Sequence, residues 1–421
     1  MTEQLTVFFN ENKIGILTLT SGKLSFKYLE DYLKSQDNHP LSLSLPLQNE
    51  AFSHEVTSAY FSGLLPDEPL RSRLAKYLHI SSKNTFALLK AIGGECAGAI
   101  SFYPFGKNIN QNAQYEYRVL NDIEANNLLQ TLHRHPLLAG DEGIRLSQAG
   151  AQDKLMIAFV DNQVAIPLEN TLSTHIIKPT IKNLKDTVFN EFFCMKLAAA
   201  CGLDTAKADI LWLEETPYYL VERYDRVFSS DNNIIRLHQE DFCQALHIPP
   251  EIKYENEGGP SLITCFELLD NQIKSGKLLA KEKIELFKTI VFNFLIGNGD
   301  AHGKNFSLLY QHNSEKLTPR YDLLSTVVYD NPKKAKMAMK IASKYKFQDV
   351  QLRHFLKLAE SVGFRDKFVL TSVIQPIAKN ILDQAISLAE QFNNDEKYKS
   401  EIYQDIILII EKHQKRLMNS M

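Results

Sequence analysis

Tryptophan occurs once in the 421 residues, glycine 18 times and proline 15 times. That little glycine and proline excludes collagen-like and linker-rich chains. No apolar run approaches the roughly 20 residues that a membrane span needs. The first residues, MTEQLTVFFNENK, lack the basic and then apolar regions of a secretory signal. Neither sign of charge is in excess. Lys plus Arg is 47 and Asp plus Glu is 50, a net charge of −3, which does not indicate a strongly basic nucleic-acid binder but leaves room for a local basic patch. The five cysteines, at 96, 194, 201, 243 and 265, form no C-x-x-C pair and read as reduced, mostly buried thiols. Cys243, within EDFCQ, reads as a core residue and not a nucleophile. The 12 histidines contain no H-x-x-x-H spacing, so a zinc site is not expected. These absences leave a soluble cytoplasmic protein, with no membrane partner, as the expectation.

Hydrophobic residues make up 44% of the chain and charged residues 23%. This is globular composition, not that of a disordered chain, and the length suggests two or three domains.

The N-terminal part opens with two predicted strands, Leu5 to Phe9 and Ile14 to Leu19, around a turn. Leu41 to Leu47, LSLSLPL, alternates at period two and predicts a third strand. Ser58 to Tyr77 predicts helix interrupted at Leu65-Pro66-Asp67, and Gly93 to Ile100 a glycine-rich turn entering a strand. The polar stretch Gly106 to Tyr115 marks the first boundary. Beyond it, Lys154 to Val160 and Thr174 to Lys178 predict strands, and Leu184 to Cys201 a helix stopped by Gly202. Ala208 to Leu213 and Tyr218 to Val221 predict a hairpin carrying Trp212. From about Asp225 helices dominate: Glu282 to Ile296, Asp349 to Val362, Arg365 to Leu388 and Ser400 to Met418, with a strand at Phe306 to Tyr310. The order is α+β and not a repeating βαβ pattern. The division expected is 1–108, 109–225 and 226–421.

The stretch richest in chemistry is Gly299-Asp300-Ala301-His302-Gly303-Lys304-Asn305. An Asp and an Asn five residues apart in a tight loop suit phosphoryl transfer. The Asp can take a proton from an attacking hydroxyl, and the Asn carbonyl can hold Mg²⁺. A second metal carboxylate is expected just beyond the next strand, where Asp322 stands. Each of these residues alone also fits a helix cap or a turn; together they favour the chemistry. A phosphate-holding cation on a strand is available in Lys178. Arg145 to Lys154 supplies small residues, then a lysine, then a strand, although the GK[ST] ending of a Walker loop is missing. Glu191, on the helix after Lys178, could pair with that lysine or be a solvated helix-face residue. The order of loop, strand lysine, acidic helix, catalytic loop and metal Asp is that of a kinase.

These residues resemble the HipA-type toxin kinases of bacterial toxin–antitoxin systems. The resemblance runs almost end to end: LSLSLPL, FSGLLPDE, GGECAGAI, RLSQAGAQDKL, THIIKP, NEFFCMKLA, VERYDR, LHQEDFCQAL, KYENEGGP, GNGDAHGKNFSLL and TPRYDLLST. It implies an α+β, protein-kinase-like fold with a small β-rich N-terminal subdomain and a largely helical C-terminal lobe. It further implies an ATP-dependent serine/threonine kinase using ATP and Mg²⁺. By this likeness Ala149, Gly150, Ala151, Gln152, Asp153 and Lys154 form the phosphate loop, and Lys178 is the nucleotide lysine. Glu222, Arg223 and Tyr224 are the adenine hinge, and Asp300 is the catalytic base. His302, Gly303, Lys304 and Asn305 line the phosphates, with Tyr321 alongside, and Asn305 and Asp322 hold the metal. Ser147 matches a serine autophosphorylated as self-inactivation. The resemblance also implies growth arrest by phosphorylation of an aminoacyl-tRNA synthetase, typically the glutamyl enzyme. A helix-turn-helix antitoxin is the implied partner, with operator DNA reached mainly through it and the pair repressing its own operon. Lys333, Lys334, Lys336, Lys344 and Lys346 could touch DNA phosphates or form a solvated basic face. Two other readings compete. A metal-dependent nuclease toxin would use Asp300, His302, Asn305 and Asp322 but leaves Lys178 and Gly150 unexplained. A silent co-repressor leaves the intact Asp300, Asn305 and Asp322 unexplained.

Overall fold

Alternating apolar residues build the first sheet. In the computed structural model, which describes residues 2–107, 115–229, 233–311, 314–331 and 334–418, strands β1 (Thr2–Phe9), β2 (Asn12–Thr20), β3 (Lys23–Tyr28) and β4 (Ile100–Pro104) form one sheet in the order β3-β2-β1-β4. Leu5, Val7, Leu17 and Phe26 are fully buried on it. The chain divides into two units. The first holds Met1–Pro179, Leu213–Thr216 and Glu222–Glu251; the second holds Thr180–Trp212, Pro217–Val221 and Ile252–Met421. The expected boundary at residues 108 and 109 lies outside the described residues.

In the first unit the expected helical stretch resolves into helices His54–Gly63 and Leu70–Tyr77, with the Leu65-Pro66-Asp67 break between them. LSLSLPL is not a strand. It is a tight turn closed by a Ser42–Leu45 bridge. Its period-two pattern has a different cause: Leu41 and Leu45 are both buried, while the Ser42 hydroxyl accepts the Ser44 amide at 3.0 Å. Serine side chains that bond their own backbone favour turns over ladders. A second group of strands, β5 (Tyr117–Val119), β6 (Leu155–Val160), β7 (Gln163–Pro167) and β8 (His175–Lys178), lies in the order β5-β7-β6-β8. Antiparallel register pairs Leu155 with Ile177. One step further along this register, Lys154 and Lys178 face each other at the same end of the strand pair.

The second unit is mostly helical. Helix Thr187–Ala200 starts three residues later than the pattern suggests, because Asp186 adopts a left-handed backbone (φ 51°) that an α-helix does not continue through. Gly202 (φ 83°) ends it as expected. This helix packs with Gln375–Asn393 and Ile402–Met418; Phe193 stacks on Tyr403 at 4.6 Å and Phe192 on Tyr398 at 5.0 Å. Helix Lys281–Ile296 also packs against Ile402–Met418. Strand Ser307–Gln311 pairs with Ser314–Leu317. Among the described residues no helix is long and apolar enough to cross a membrane. Overall the chain is α+β, with antiparallel sheets toward the N-terminus and helices toward the C-terminus.

Candidate active site

Helix Lys281–Ile296 ends on Gly297 in the left-handed conformation (φ 73°), and the loop that follows is tied down by its own side chains. Asn298 donates to Asn293 Oδ1 at 3.0 Å and accepts the Asp300 amide at 3.1 Å. The Gly299 amide donates to Thr326 Oγ1 at 2.8 Å. A Cβ at Gly299 would lie 2.6 Å from the Lys336 carbonyl and 2.8 Å from that hydroxyl, so a side chain does not fit. Asn305 donates through its side chain to the Asp300 carbonyl at 2.9 Å. This bracing leaves the Asp300 carboxylate projecting, its side chain 46% exposed. Its Oδ1 accepts the Tyr254 hydroxyl at 2.6 Å and lies 3.9 Å from His302 Nε2.

Asp322 sits in a left-handed backbone conformation (φ 51°), which aspartate tolerates better than most residues. The turn after it is fastened to the same loop: the Thr326 and Val327 amides donate to the Gly297 carbonyl at 3.0 and 3.1 Å. Buried Asn190 clamps it from the helix Thr187–Ala200, donating to the Ser325 carbonyl and accepting the Ser325 amide, both at 2.8 Å. Tyr321 donates to the Lys304 carbonyl at 2.8 Å, and His302, Gly303 and Lys304 are buried. Glu191 is not a solvated helix-face residue. It is buried and bonded to the Tyr219 hydroxyl. Burial first, and then the charges of Glu191 and Asp322, push the Tyr219 phenol well above its ordinary value. Asp300, His302, Gly303, Lys304, Asn305, Tyr321 and Asp322 thus come together in the second unit. The oxygen donors of Asp322 and Asn305 are hard ligands, a set that fits Mg²⁺ shared with phosphates.

The remaining expected residues lie in the first unit. Ser147 is fully buried; its hydroxyl donates to the Leu64 carbonyl at 2.8 Å and its amide to the Glu95 carbonyl at 2.8 Å. Gly150 has φ 106° and its carbonyl accepts the Asp67 amide at 3.1 Å. Gln152 donates to the Pro179 carbonyl at 3.1 Å, Asp153 is paired with Arg73 at 2.8 Å, and Lys154 Nζ donates to the Ala149 carbonyl at 2.6 Å. Ala149 and Ala151 are half-buried and Lys178 is buried. The expected hinge adjoins β8, because the Arg223 amide donates to the Thr174 carbonyl at 2.9 Å. Glu222 is exposed, and Tyr224 is half-buried and bonded to Gln239. The Arg223 side chain turns inward, pairing with Asp225 at 2.9 Å and Glu95 at 3.2 Å, while Arg226 pairs with Glu95 at 2.9 Å and Asp225 at 3.1 Å. Burial alone would raise the Asp225 carboxyl and lower Arg223. The facing opposite charges outweigh it, so Asp225 is held far below, and Arg223 above, their ordinary values.

The sequence pattern did not single out Tyr254, Asn190, Asn298, Thr326 or Glu95, although Tyr254, Asn298 and Glu95 hold site residues and Asn190 and Thr326 hold their neighbours Ser325 and Gly299. All five fall inside the stretches that carry the resemblance, but nothing in the local pattern of Tyr254, Asn190 or Glu95 shows a partner that is distant along the chain. On the basic stretch, Lys334, Lys336 and Lys346 are exposed, with Lys336 opposite Lys346; Pro332 and Lys333 lie outside the described residues. Trp212 donates to the Lys397 carbonyl at 2.9 Å, and Cys243 is buried.

An α+β chain with a braced Asp-x-x-x-x-Asn loop, and an Asp just beyond the next two strands, has the order expected of the protein-kinase-like class. Comparison with known proteins narrows this. Residues 146–392 match the HipA-like C-terminal domain and residues 5–103 the HipA N-terminal domain, so the chain belongs to the HipA family of serine/threonine kinases. A candidate kinase of Sinorhizobium fredii, Y4mE, is 40% identical over 85% of this chain and 86% of its own. The serine/threonine-protein kinase toxin HipA of Shewanella oneidensis is 29% identical over 92% of this chain and 89% of its own. A solved structure of Shewanella oneidensis HipA, with HipB and operator DNA, superposes with a TM-score of 0.83 and 25% identity, covering 99% of this chain and 97% of that one.

Proposed function

We propose that this chain is an ATP- and Mg²⁺-dependent serine/threonine protein kinase toxin with Asp300 as its catalytic base. The observation that carries the reading is the half-exposed Asp300 carboxylate on a loop locked by Asn298, Asn305 and Thr326. Such bracing keeps a proton acceptor in one place at little reorganisation cost. Asp300 takes the proton of a serine or threonine hydroxyl as that oxygen bonds to phosphorus and the bond to the ADP leaving group breaks. Asn305 and Asp322 would hold the metal, which offsets phosphate charge when bound. Lys154, Lys178 and the main chain of Ala149 to Asp153 would hold the phosphates, with His302, Gly303, Lys304 and Tyr321 lining them. Glu222 and Tyr224 would flank adenine, with Arg223 between them tied beside β8 through its amide. In this reading residues 1–108, 109–225 and 226–421 are the N-terminal subdomain, the nucleotide lobe and the catalytic lobe.

The protein substrate proposed is an aminoacyl-tRNA synthetase, the glutamyl enzyme first. A helix-turn-helix antitoxin is the proposed partner, through which the chain reaches operator DNA and co-represses its operon. The Shewanella HipA structure, which contains HipB and operator DNA, supports that choice. Ser147 is proposed as a self-inactivating phosphorylation site. Its hydroxyl is buried against the Leu64 carbonyl, so a phosphate of about −1.5 to −2 charges would drive the loop out of this arrangement.

The test is transfer of γ-phosphate label by the purified chain. EDTA should stop it and Mg²⁺ should restore it. Plasmid nicking with no label transfer would favour the nuclease reading instead. Phosphoproteomics after brief induction, with Asp300→Asn as the control, identifies the substrate. Calorimetry on separated phosphorylated and unmodified forms tests Ser147, and equal ATP affinity would refute the switch.

A further inference from the structure

We infer that the segment matching the HipA N-terminal domain is part of the nucleotide site, with Arg73 and Glu95 as positioning residues for ATP. The inference rests on the reading that Ala149 to Lys154 and Glu222 to Tyr224 meet ATP.

The stretch 145–154 is held largely from outside: besides the Gln152 bond to Pro179, four links at Ser147, Gly150 and Asp153 tie it to an upstream segment. The Ser147 hydroxyl and amide end on the carbonyls of Leu64 and Glu95. The Gly150 carbonyl takes the Asp67 amide. Arg73 reaches both oxygens of Asp153, at 2.8 and 3.2 Å. All four partners lie within residues 5–103.

Glu95 does a second thing. Its main chain holds the loop entry, donating to the Arg145 carbonyl at 2.9 Å and accepting from Ser147. Its carboxylate, nearly fully buried, takes Arg223 and Arg226 together with the amide and hydroxyl of Ser173. Three residues on, the Gly98 amide donates to Asp225 at 2.7 Å. One residue therefore joins the entry of the phosphate loop to the hinge. The cluster of Glu95, Asp225, Arg223 and Arg226 is neutral as a set. Removing the Glu95 charge leaves a buried excess of positive charge, a strain that displacing the hinge would relieve. A displacement of about 1 Å in a positioned site can cost about a hundredfold.

The experiment is calorimetric titration of the full-length chain with ATP, beside thermal unfolding by circular dichroism. Arg73→Ala touches a part-exposed side chain and is expected to keep the fold while weakening ATP binding about tenfold, with Arg73→Lys recovering most of the loss; Glu95→Gln is expected to weaken it by about ten- to a hundredfold. A merely structural role would lower the unfolding midpoint and leave the ATP affinity of the folded protein unchanged. Unchanged affinity in Arg73→Ala and in folded Glu95→Gln would overturn the inference. If Glu95→Gln does not fold, the two Arg73 variants decide. Failure of the unaltered chain to bind ATP would instead refute the kinase reading beneath it.

Discussion

The Asp300 loop and the Ser147–Lys154 loop are both short and polar, and they are held in opposite ways. The first is braced largely by close neighbours: Asn293, Asn298, Asn305 and Thr326 all lie within about 30 residues of one another, with Asn190 and Tyr254 added from further along the chain. The second is braced at Leu64, Asp67, Arg73 and Glu95, some 50 to 85 residues upstream. A loop secured by its own neighbourhood stays put when distant parts loosen. A loop secured from afar reports on the state of another domain, which suits a segment whose proposed role includes being switched.

The largest effect is expected at the proposed base. Asp300→Asn keeps the side-chain shape and the local bracing, so the unfolding midpoint should hold. Phosphate transfer should fall by roughly 10²–10⁴-fold, about 3–5 kcal/mol of barrier. Label transfer near the unaltered rate would remove Asp300 from the chemistry.

Asn190→Ala tests whether the second-unit loop owes its rigidity to one buried clamp. It strands the Ser325 amide and carbonyl, so urea unfolding should show a loss of roughly 2–4 kcal/mol. A loss below about 0.5 kcal/mol, within the range of ordinary surface substitutions, would show that local bonds suffice.

Asp322→Ala should weaken ATP binding about 10- to 100-fold with Mg²⁺ present, about 1.4–2.8 kcal/mol, and far less in EDTA. Equal weakening in both buffers would place Asp322 away from the metal.

The smallest effect belongs to the first-unit loop. Ser147→Ala removes one buried hydrogen bond to Leu64, worth about 1 kcal/mol in chemical unfolding. Mass spectrometry after incubation with Mg-ATP should find phosphate on Ser147 in the unaltered chain and none at position 147 in the variant.

Much of the fold was legible. Helix Lys281–Ile296 could be read from its apolar period and its Gly297 stop, and β1, β2, β6 and β8 from short alternating or β-branched runs. LSLSLPL was misread because a turn that buries two leucines and turns the Ser42 hydroxyl onto the backbone has the same period as a strand. The start of helix Thr187–Ala200 was misplaced because the left-handed Asp186 has no composition signal; its carboxylate accepts the Ser400 hydroxyl at 2.6 Å, from more than 200 residues away. At the candidate site, Asp300, Asn305 and Asp322 were visible through spacing alone. Their supports were not, since Asn190 and Tyr254 act through contacts with segments far along the chain.

By itself the sequence determined the α+β order of elements, the Gly stops of two helices, and the acidic, amide and lysine side chains available for phosphoryl transfer. Those are properties of local period and of residue type, which short-range physics decides. Only the tertiary structure decided which of those side chains remain presented and which are consumed. Asp300 stays half-exposed, while Arg223, equally polar and equally prominent in the motif, is spent inside a neutral buried cluster with Glu95, Asp225 and Arg226. A charged side chain left in the interior must find opposite charges there, and where those stand depends on the path of the whole chain.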